Sequence, residues 1–287
     1  MKDILLPPEV NYIAAFLTLR CNLNCSYCVN RQGDFTIPQE MLAEDWVTGL
    51  SRIETRQDLP ISIQGGEPTI YPGFYKIVNG LYYQHRKHLD LLTNGMFDLR
   101  DFCSQIPTPV FKRGAKYASI RFSYHTRMSP IALALKVWEL QNRGYEVGIW
   151  GLDNNPHLNR LMEHLCECLN LDFREKEFLS DKSGTYKYPN AMDRKEKKHV
   201  WCKTNELLIG PSGHIFKCHN DLYANRDWIG HILDGDIPIF SFRECNNFGY
   251  CNPCDVKLKT NRLQERGYCS VEIKGEGIKV CPKGERR

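Results

Sequence analysis

The sequence lacks any long run of apolar residues. Its first eight residues, MKDILLPP, contain neither an extended apolar stretch nor a small-residue cleavage site, which argues against a secretory signal peptide. No later run is long enough to span a bilayer. Net charge is also small, +4 at pH 7, so neither nucleic acid nor an anionic membrane is expected as a partner. We therefore expect a cytoplasmic protein in a reducing compartment.

Cysteine, by contrast, is abundant, with 13 residues in a chain of 287. An odd number fits poorly with a closed set of disulfides. In a reducing compartment, so many thiols favour metal binding or catalysis. The length suits one large domain, or one domain with a smaller appendage. The composition therefore predicts a metal-binding protein with a sizeable core.

Short apolar strands and amphipathic helices alternate over residues 1–178. Strands are expected near residues 12, 61, 90, 118, 146 and 171. A helix is expected to begin near Pro38 and to carry Met41, Trp46 and Leu50 on its apolar side. This alternation predicts an α/β fold with a parallel sheet and helices outside. Reactive groups in such folds gather at the carboxyl ends of the strands.

The pattern changes after residue 178. Residues 179–199 are polar and charged, which is typical of a linker. Residues 200–287 contain short strands, turns and many cysteines, and we expect them to form a small separate module. Apolar residues at 207–209 and 215–216 flank a Pro-Ser-Gly turn at 211–213, which predicts a β-hairpin.

Three cysteines lie close together directly after the first predicted strand. The segment reads Cys21-Asn22-Leu23-Asn24-Cys25-Ser26-Tyr27-Cys28. Thiolates are soft ligands that suit zinc or an iron–sulfur cluster. A four-iron cluster held by only three cysteines leaves one iron without a protein ligand, so a substrate or cofactor can bind there.

Polar residues follow the next predicted strands. Gln64-Gly65-Gly66-Glu67-Pro68 ends the second strand. Paired glycines let the backbone approach a ligand closely, and exposed carbonyls, with or without a carboxylate, can accept hydrogen bonds from an ammonium group. Asn94 and Ser123 end the third and fourth strands. Because the cysteine loop and the Gly-Gly turn both follow strands of a parallel sheet, we expect them at the same edge of the sheet. Asn94 and Ser123 could simply be polar residues at strand ends.

The cysteine spacing, with aromatic Tyr27 before the last cysteine, resembles the signature of the radical S-adenosylmethionine (SAM) superfamily. The resemblance implies a [4Fe–4S] cluster on Cys21, Cys25 and Cys28 whose open iron binds SAM, and a partial (β/α)6 TIM-like barrel. It also implies that SAM is cleaved to a 5′-deoxyadenosyl radical, which abstracts a hydrogen atom from the substrate. The cofactor-binding residues that it implies are Tyr27, Gly65, Gly66, Glu67, Asn94 and Ser123.

The C-terminal cysteines resemble the twitch module, a shortened relative of the SPASM domain, built on a β-hairpin and helix. The resemblance implies a second, auxiliary [4Fe–4S] cluster. Its preferred ligands are Cys202, Cys218, Cys251 and Cys254, with Cys245 as the alternate. A structural zinc site is the alternative, and Cys269 and Cys281 leave a two-cluster SPASM module open. We interpret Cys166 as a core residue, and Cys103 and Cys168 as structural or incidental.

Two kinds of function remain in view. The first is a radical SAM enzyme, either a dehydrogenase acting on a small molecule such as a carbohydrate, or a maturase that modifies a peptide. Such an enzyme requires a reductant, for which we expect a flavodoxin or ferredoxin. The second is a zinc-binding or electron-carrier protein, against which the long strand–helix alternation argues. No catalytic side chain beyond the cluster ligands is identified by the sequence.

Overall fold

The structure is a computed structural model, and it describes residues 3–28, 30, 35–56, 58–115, 117–125, 127–152, 155–176, 198–234, 241–248 and 271–274. Strands and helices alternate in its first part. The strands are β1 (Tyr12–Thr18), β2 (Ile61–Gly65), β3 (Leu89–Thr93), β4 (Ile120–Ser123), β5 (Val147–Leu152) and β6 (Asp172–Lys176). The helices are α1 (Ala43–Ser51), α2 (Phe74–Asn79), α3 (Leu99–Gln105), α4 (Pro130–Asn142) and α5 (Pro156–Leu169).

Strands β1 to β6 lie side by side in chain order, and every neighbouring pair is parallel. Parallel strands need crossover connections, and the helices between them supply these. A sequential strand order is typical of a (β/α) barrel, because the order reverses within a doubly wound sheet. The predicted α/β fold with a partial six-stranded barrel is confirmed.

The two faces of the sheet differ in character. Ile13 and Leu17 of β1 point towards the helices and are fully buried, as is Trp46 of α1. Cys166 of α5 belongs to the same core, so its predicted place is confirmed. Alternate residues of β1, such as Phe16, point to the opposite face because side chains alternate along a strand. We call this second face the inner face.

Ion pairs stabilise part of the inner face. Asp90 of β3 contacts Arg113 (2.6 Å) and Arg121 of β4 (2.8 Å). The side chains of Asp90, Arg113 and Arg121 are 0%, 1% and 14% exposed. The Tyr117 ring lies 5.0 Å from one guanidinium carbon and 5.2 Å from the other. Charged groups buried this deeply need such partners, since desolvation of an unpaired charge is expensive.

Helix α1 is shorter than the sequence predicted. It begins at Ala43 rather than near Pro38. The backbone N–H of Met41 donates to the Pro211 carbonyl (2.7 Å), and the Met41 carbonyl accepts a hydrogen bond from the Tyr71 hydroxyl (2.6 Å). These tertiary contacts take up backbone groups that would otherwise extend the helix.

The later described residues extend the sheet. They form β7 (Lys198–Thr204), β8 (Glu206–Ile209), β9 (His214–Phe216), α6 (His219–Ala224), β10 (Trp228–His231), β11 (Arg243–Phe248) and β12 (Val271–Lys274). The main sheet has nine strands in the order β10-β9-β8-β1-β2-β3-β4-β5-β6, with β8 parallel to β1. The order β11-β7-β12 makes a separate sheet.

The predicted β-hairpin around residues 211–213 is confirmed. Ile209 pairs with Ile215, and Gly213 adopts a φ of +81°, which glycine reaches without strain. Three strands of the predicted C-terminal module thus continue the barrel sheet. Most of the predicted linker at 179–199 lies outside the described residues. No helix in the described ranges is long and apolar enough to cross a membrane.

Candidate functional site

The three cysteines of the first motif lie on the loop that follows β1. Cys21, Cys25 and Cys28 are all partly exposed. The backbone N–H of Cys28 donates to the Cys25 carbonyl (3.2 Å), and that of Leu23 donates to Cys21 Sγ (3.3 Å). These local hydrogen bonds fold the loop into a compact turn. We call this segment, residues 21–28, the cysteine loop.

The three thiols act on one another electrostatically. Burial is the main cause that raises the pKa of Cys25, and the nearby Cys28 and Cys21 thiols raise it further. A hydrogen bond with Tyr27 and the charge of Arg127 lower it. Three thiolates this close together repel one another unless a cationic centre shares them. A metal cluster meets that condition, because a coordinated thiol loses its proton.

The Gly65-Gly66 turn packs directly against Thr18 and Arg20, which lead into the cysteine loop. The N–H of Gly66 donates to the Thr18 carbonyl (2.8 Å), and the N–H of Glu67 donates to the Arg20 carbonyl (2.9 Å). A β-carbon on Gly66 would lie 2.0 Å from the Arg20 oxygen, and one on Gly65 would lie 2.0 Å from the Thr18 oxygen. Both glycines are therefore required by this backbone contact, whereas the sequence suggested approach to a ligand.

Glu67 is completely buried. Its Oε1 accepts hydrogen bonds from the N–H (3.2 Å) and hydroxyl (2.6 Å) of Thr69 and from the Thr93 hydroxyl (2.7 Å). Its Oε2 accepts one from the Asn94 N–H (2.7 Å). Burial raises the pKa of Glu67, and these hydrogen bonds oppose the shift. The sequence grouped Glu67 with the cofactor-binding residues, but here its carboxylate joins the Gly-Gly turn to the end of β3.

Asn94 connects the end of β3 to the cysteine loop. Its Nδ2 donates to Asn22 Oδ1 (2.7 Å) and lies 3.8 Å from Cys21 Sγ. Its Oδ1 accepts a hydrogen bond from the Met96 N–H (2.9 Å). Sequence reasoning missed Asn22, and no local signal could have found it, because its partner is 72 residues away. Asn94 at the end of β3 therefore contacts the cysteine loop directly.

The end of β4 also contacts the cysteine loop. The Tyr27 hydroxyl lies 3.0 Å from His125 Nδ1, a hydrogen bond whose donor depends on the histidine tautomer. Burial lowers the pKa of His125. Ser123 is partly exposed and pairs with Trp150 of β5 on the inner face, because Phe122 belongs to the helix-facing core. The sequence assigned no role to His125 or Trp150.

A second group of thiols lines a cavity of about 480 Å³. Cys202 lies on β7, Cys245 on β11, and Cys218 directly before α6. A hydrogen bond with Cys245 and then burial raise the pKa of Cys202, and the Cys218 thiol adds to the effect. Cys245, which the sequence offered as the alternate ligand, thus lies beside Cys202. The other two preferred ligands, Cys251 and Cys254, lie outside the described residues.

A cation and a carboxylate accompany these thiols on the cavity wall. Lys217 Nζ donates a hydrogen bond to the Glu244 carbonyl (2.6 Å). Burial by itself lowers the pKa of Lys217, but the three thiols raise it overall. Cys218 Sγ donates to Asp221 Oδ2 (3.1 Å). The cavity therefore combines soft sulfur donors with a half-buried positive charge.

The type of donor atom at each site indicates which metal centre the site could bind. Three neighbouring thiols on one loop, and three more around one cavity, suit iron–sulfur clusters or zinc. In the parts of the chain that the structure describes, no three Cys, His, Asp or Glu side chains already surround a single metal-ion position. The residues fit such a group by type and proximity, and ligation would draw the thiols closer together.

Known proteins resemble the first part of the chain. Residues 16–106 match the family described as Radical SAM superfamily. This stretch holds the cysteine loop, the Gly-Gly turn and Asn94, but none of the C-terminal cysteines. The chain is 32% identical over 89 residues to molybdenum cofactor biosynthesis protein 1 of Mus musculus, and 30% identical over 90 residues to GTP 3′,8-cyclase of Listeria monocytogenes.

A third relative, sporulation killing factor maturation protein SkfB of Bacillus subtilis, is 32% identical over 62 residues. These matches cover 30%, 30% and 22% of this chain. They span only 14%, 27% and 15% of the respective relatives. Residues 16–106 are thus similar to the radical SAM superfamily. The chain spans less than a third of the length of each of these relatives.

Proposed function

We propose that this protein is a radical SAM enzyme whose cluster is held by Cys21, Cys25 and Cys28. One observation carries the proposal: at the carboxyl ends of neighbouring parallel strands, Asn94 contacts the cysteine loop, and the turn at Gly66 and Glu67 contacts the residues that lead into it. This is the end of a (β/α) fold where reactive groups collect. When bound, the cluster and SAM supply a 5′-deoxyadenosyl radical that takes a hydrogen atom from the substrate.

The side chains of this site would bind and position the cluster and SAM. They do not perform the radical chemistry themselves. The candidate SAM contacts lie beside the cysteine loop: Tyr27, Gly65, Gly66, Asn94 and Ser123. Glu67 acts indirectly, because its carboxylate holds the backbone of Asn94. His125 fixes the Tyr27 hydroxyl from the end of β4. The inner face beyond these residues is the candidate substrate side.

We also propose an auxiliary [4Fe–4S] cluster of the twitch type. Its support is the cavity that Cys202, Cys218 and Cys245 line together. The remaining ligand would come from Cys251 or Cys254. When bound, such a cluster supplies an acceptor for one electron. A substrate that first loses a hydrogen atom, and then an electron and a proton, is oxidised by two electrons.

The leading substrate class is a small molecule, such as a carbohydrate, that undergoes this dehydrogenation. A second candidate is the modification of a peptide. It is favoured by the match to the maturation protein SkfB, which is 32% identical over 62 residues. In either case a flavodoxin or ferredoxin would deliver the electron that starts SAM cleavage.

The deciding experiment is SAM cleavage by the anaerobically reconstituted protein. With dithionite and SAM, we expect 5′-deoxyadenosine to form, measured by liquid chromatography and mass spectrometry. Cys25→Ala should reduce it to background. Cys168→Ala, which changes an exposed cysteine of α5, is the matched control and should leave the rate unchanged. Equal rates for Cys25→Ala and the wild type would contradict the proposal.

Metal analysis separates the two cysteine groups and tests the zinc-binding alternative. A variant with alanine at Cys21, Cys25 and Cys28 should keep about half of the wild-type iron if each site holds one [4Fe–4S] cluster. Alanine at Cys202, Cys218 and Cys245 should remove the other half. Zinc in place of iron at the second group would support a structural metal site there and contradict the auxiliary cluster.

A further inference from the structure

We propose that Lys217 is an electrostatic positioning residue of the auxiliary site, raising the reduction potential of the cluster that Cys202, Cys218 and Cys245 would hold. This inference rests on the auxiliary cluster of the proposed function. The charge of Lys217 would affect how readily the auxiliary cluster accepts an electron.

The backbone places Lys217 among all three thiols. Lys217 directly precedes Cys218, in the short segment between β9 and α6. Its ammonium group donates to the carbonyl of Glu244 at 2.6 Å, and Glu244 directly precedes Cys245 on β11. Cys202 lies on β7, which pairs with β11 and lines the same cavity. The lysine therefore links two chain segments that each carry a cluster cysteine.

The position of the Lys217 ammonium strengthens its effect on neighbouring charges. An ammonium group that is partly removed from water acts on neighbouring charges more strongly than one in solvent, because the effective dielectric constant is lower. Asp221, on the same wall, lies 3.8 Å from Arg226, which offsets part of its charge, and it also accepts a hydrogen bond from Cys218 Sγ (3.1 Å). Lys217 lines the same cavity as the three thiols, and its ammonium is held against the residue that precedes Cys245.

The sign of the effect follows from the charge on the cluster. Each thiolate ligand adds negative charge, and reduction adds one more. A nearby cation stabilises the more negative, reduced state more than the oxidised state. Net charge and hydrogen bonds around a cluster are among the factors that set its potential. Lys217 therefore makes the auxiliary site a better electron acceptor, as removal of an electron from a substrate radical requires.

The chain offers a matched control in Lys203. It follows Cys202 directly on β7, but alternation turns its side chain to the other face. There its ammonium lies 3.0 Å from Glu9 and 3.7 Å from Glu272. Its charge is thus paired away from the cavity, although it is as close to a cluster cysteine in sequence as Lys217 is.

The test is a redox titration of the auxiliary cluster, monitored by electron paramagnetic resonance. It uses the full-length chain with alanine at Cys21, Cys25 and Cys28, so that only the auxiliary signal remains. Lys217→Met removes the charge and nearly keeps the length, Lys217→Arg keeps the charge, and Lys203→Met is the control. Iron per chain is measured for each. We expect a lower midpoint potential for Lys217→Met alone.

Each outcome decides the proposal. A lower potential in Lys217→Met, with Lys217→Arg and Lys203→Met near the parent, supports it. Loss of iron in Lys217→Met that Lys217→Arg restores also supports a role for the charge. Full iron content with an unchanged potential overturns the role of Lys217 and leaves the auxiliary cluster standing. Absence of iron in the parent itself removes the auxiliary cluster, and the role of Lys217 falls with it.

Discussion

The buried carboxylate of Glu67 accepts a hydrogen bond of 2.7 Å from the backbone N–H of Asn94. This contact joins the turn after β2 to the end of β3. Asn94 in turn donates to Asn22 on the cysteine loop (2.7 Å). A chain of hydrogen bonds thus runs from a completely buried glutamate to the partly exposed thiols. The geometry of the thiols therefore depends on a residue that does not itself reach them.

Glu67→Gln should destabilise the fold. The amide presents a donor where the carboxylate accepts, so either the fixed N–H of Asn94 or the Thr93 hydroxyl loses its acceptor. We expect a loss of about 1.5–3 kcal/mol in the free energy of unfolding, measured by urea denaturation. Glu139→Gln removes an exposed ion pair with Arg143, which solvent screens, and should cost much less. Equal losses for the two variants would refute the role given to Glu67.

Asn94→Asp tests the link to the cysteine loop. The aspartate keeps an acceptor for the Met96 N–H but loses the amide donor to Asn22 and adds negative charge near Cys21. We expect SAM cleavage to slow by about tenfold or more, the equivalent of about 1.4 kcal/mol. Asn79→Asp, at an exposed hydrogen bond to the Gln105 carbonyl, is the control and should keep the parent rate. A parent-like rate in Asn94→Asp would count against the link.

Asp90→Asn should have the largest effect on stability. It removes the negative charge that faces Arg113 and Arg121, so both guanidinium groups lose their buried partner. Breaking a buried pair in this way costs about 3–5 kcal/mol. Asp172→Asn, at an ion pair with Arg174 whose side chains are 39% and 45% exposed, should cost at most about 1 kcal/mol. Urea denaturation of both variants would show whether loss of the buried ion pair lowers the free energy of unfolding more than loss of the exposed one.

His125 should make stability depend on pH. Burial lowers its folded-state pKa below the ordinary value of 6.5, so the unfolded chain binds a proton more readily. The contribution of His125 to the free energy of unfolding therefore keeps its full value above about pH 6.5 and decreases as pH falls from there to the folded-state pKa of His125. His125→Gln should flatten this part of the curve of unfolding free energy against pH.

The variants are compared by the slopes of their curves of unfolding free energy against pH. The absolute values are not used, because His125→Gln also loses the contact with Tyr27 and shifts the whole curve. Burial likewise lowers the pKa of His88 and His214, so a smaller slope remains in the variant. His85→Gln changes an exposed histidine and should give a curve parallel to the wild type. A parallel curve for His125→Gln would remove His125 as a source of the pH dependence.

Much of the fold could be predicted from local pattern. The strand–helix alternation predicted the six parallel strands, and the Pro-Ser-Gly turn predicted the β8–β9 hairpin. The helix near Pro38 was placed too early, since a tertiary hydrogen bond to Pro211 holds Met41 outside it. No pattern indicated that β8 pairs with β1, because that pairing joins residues about 190 positions apart in one sheet.

The sequence by itself determined which atoms are available: three thiols at a spacing that suits a cluster, two glycines without side chains, and a later set of cysteines. Only the tertiary structure decided how they are used. It placed Gly66 against the Arg20 carbonyl, turned Glu67 inwards to Asn94, and brought Cys245 beside Cys202, with the Lys217 ammonium against the Glu244 carbonyl. Composition and spacing show which functional groups the chain carries. The burial, hydrogen-bond partners and electrostatic surroundings of those groups are set only when distant segments pack together.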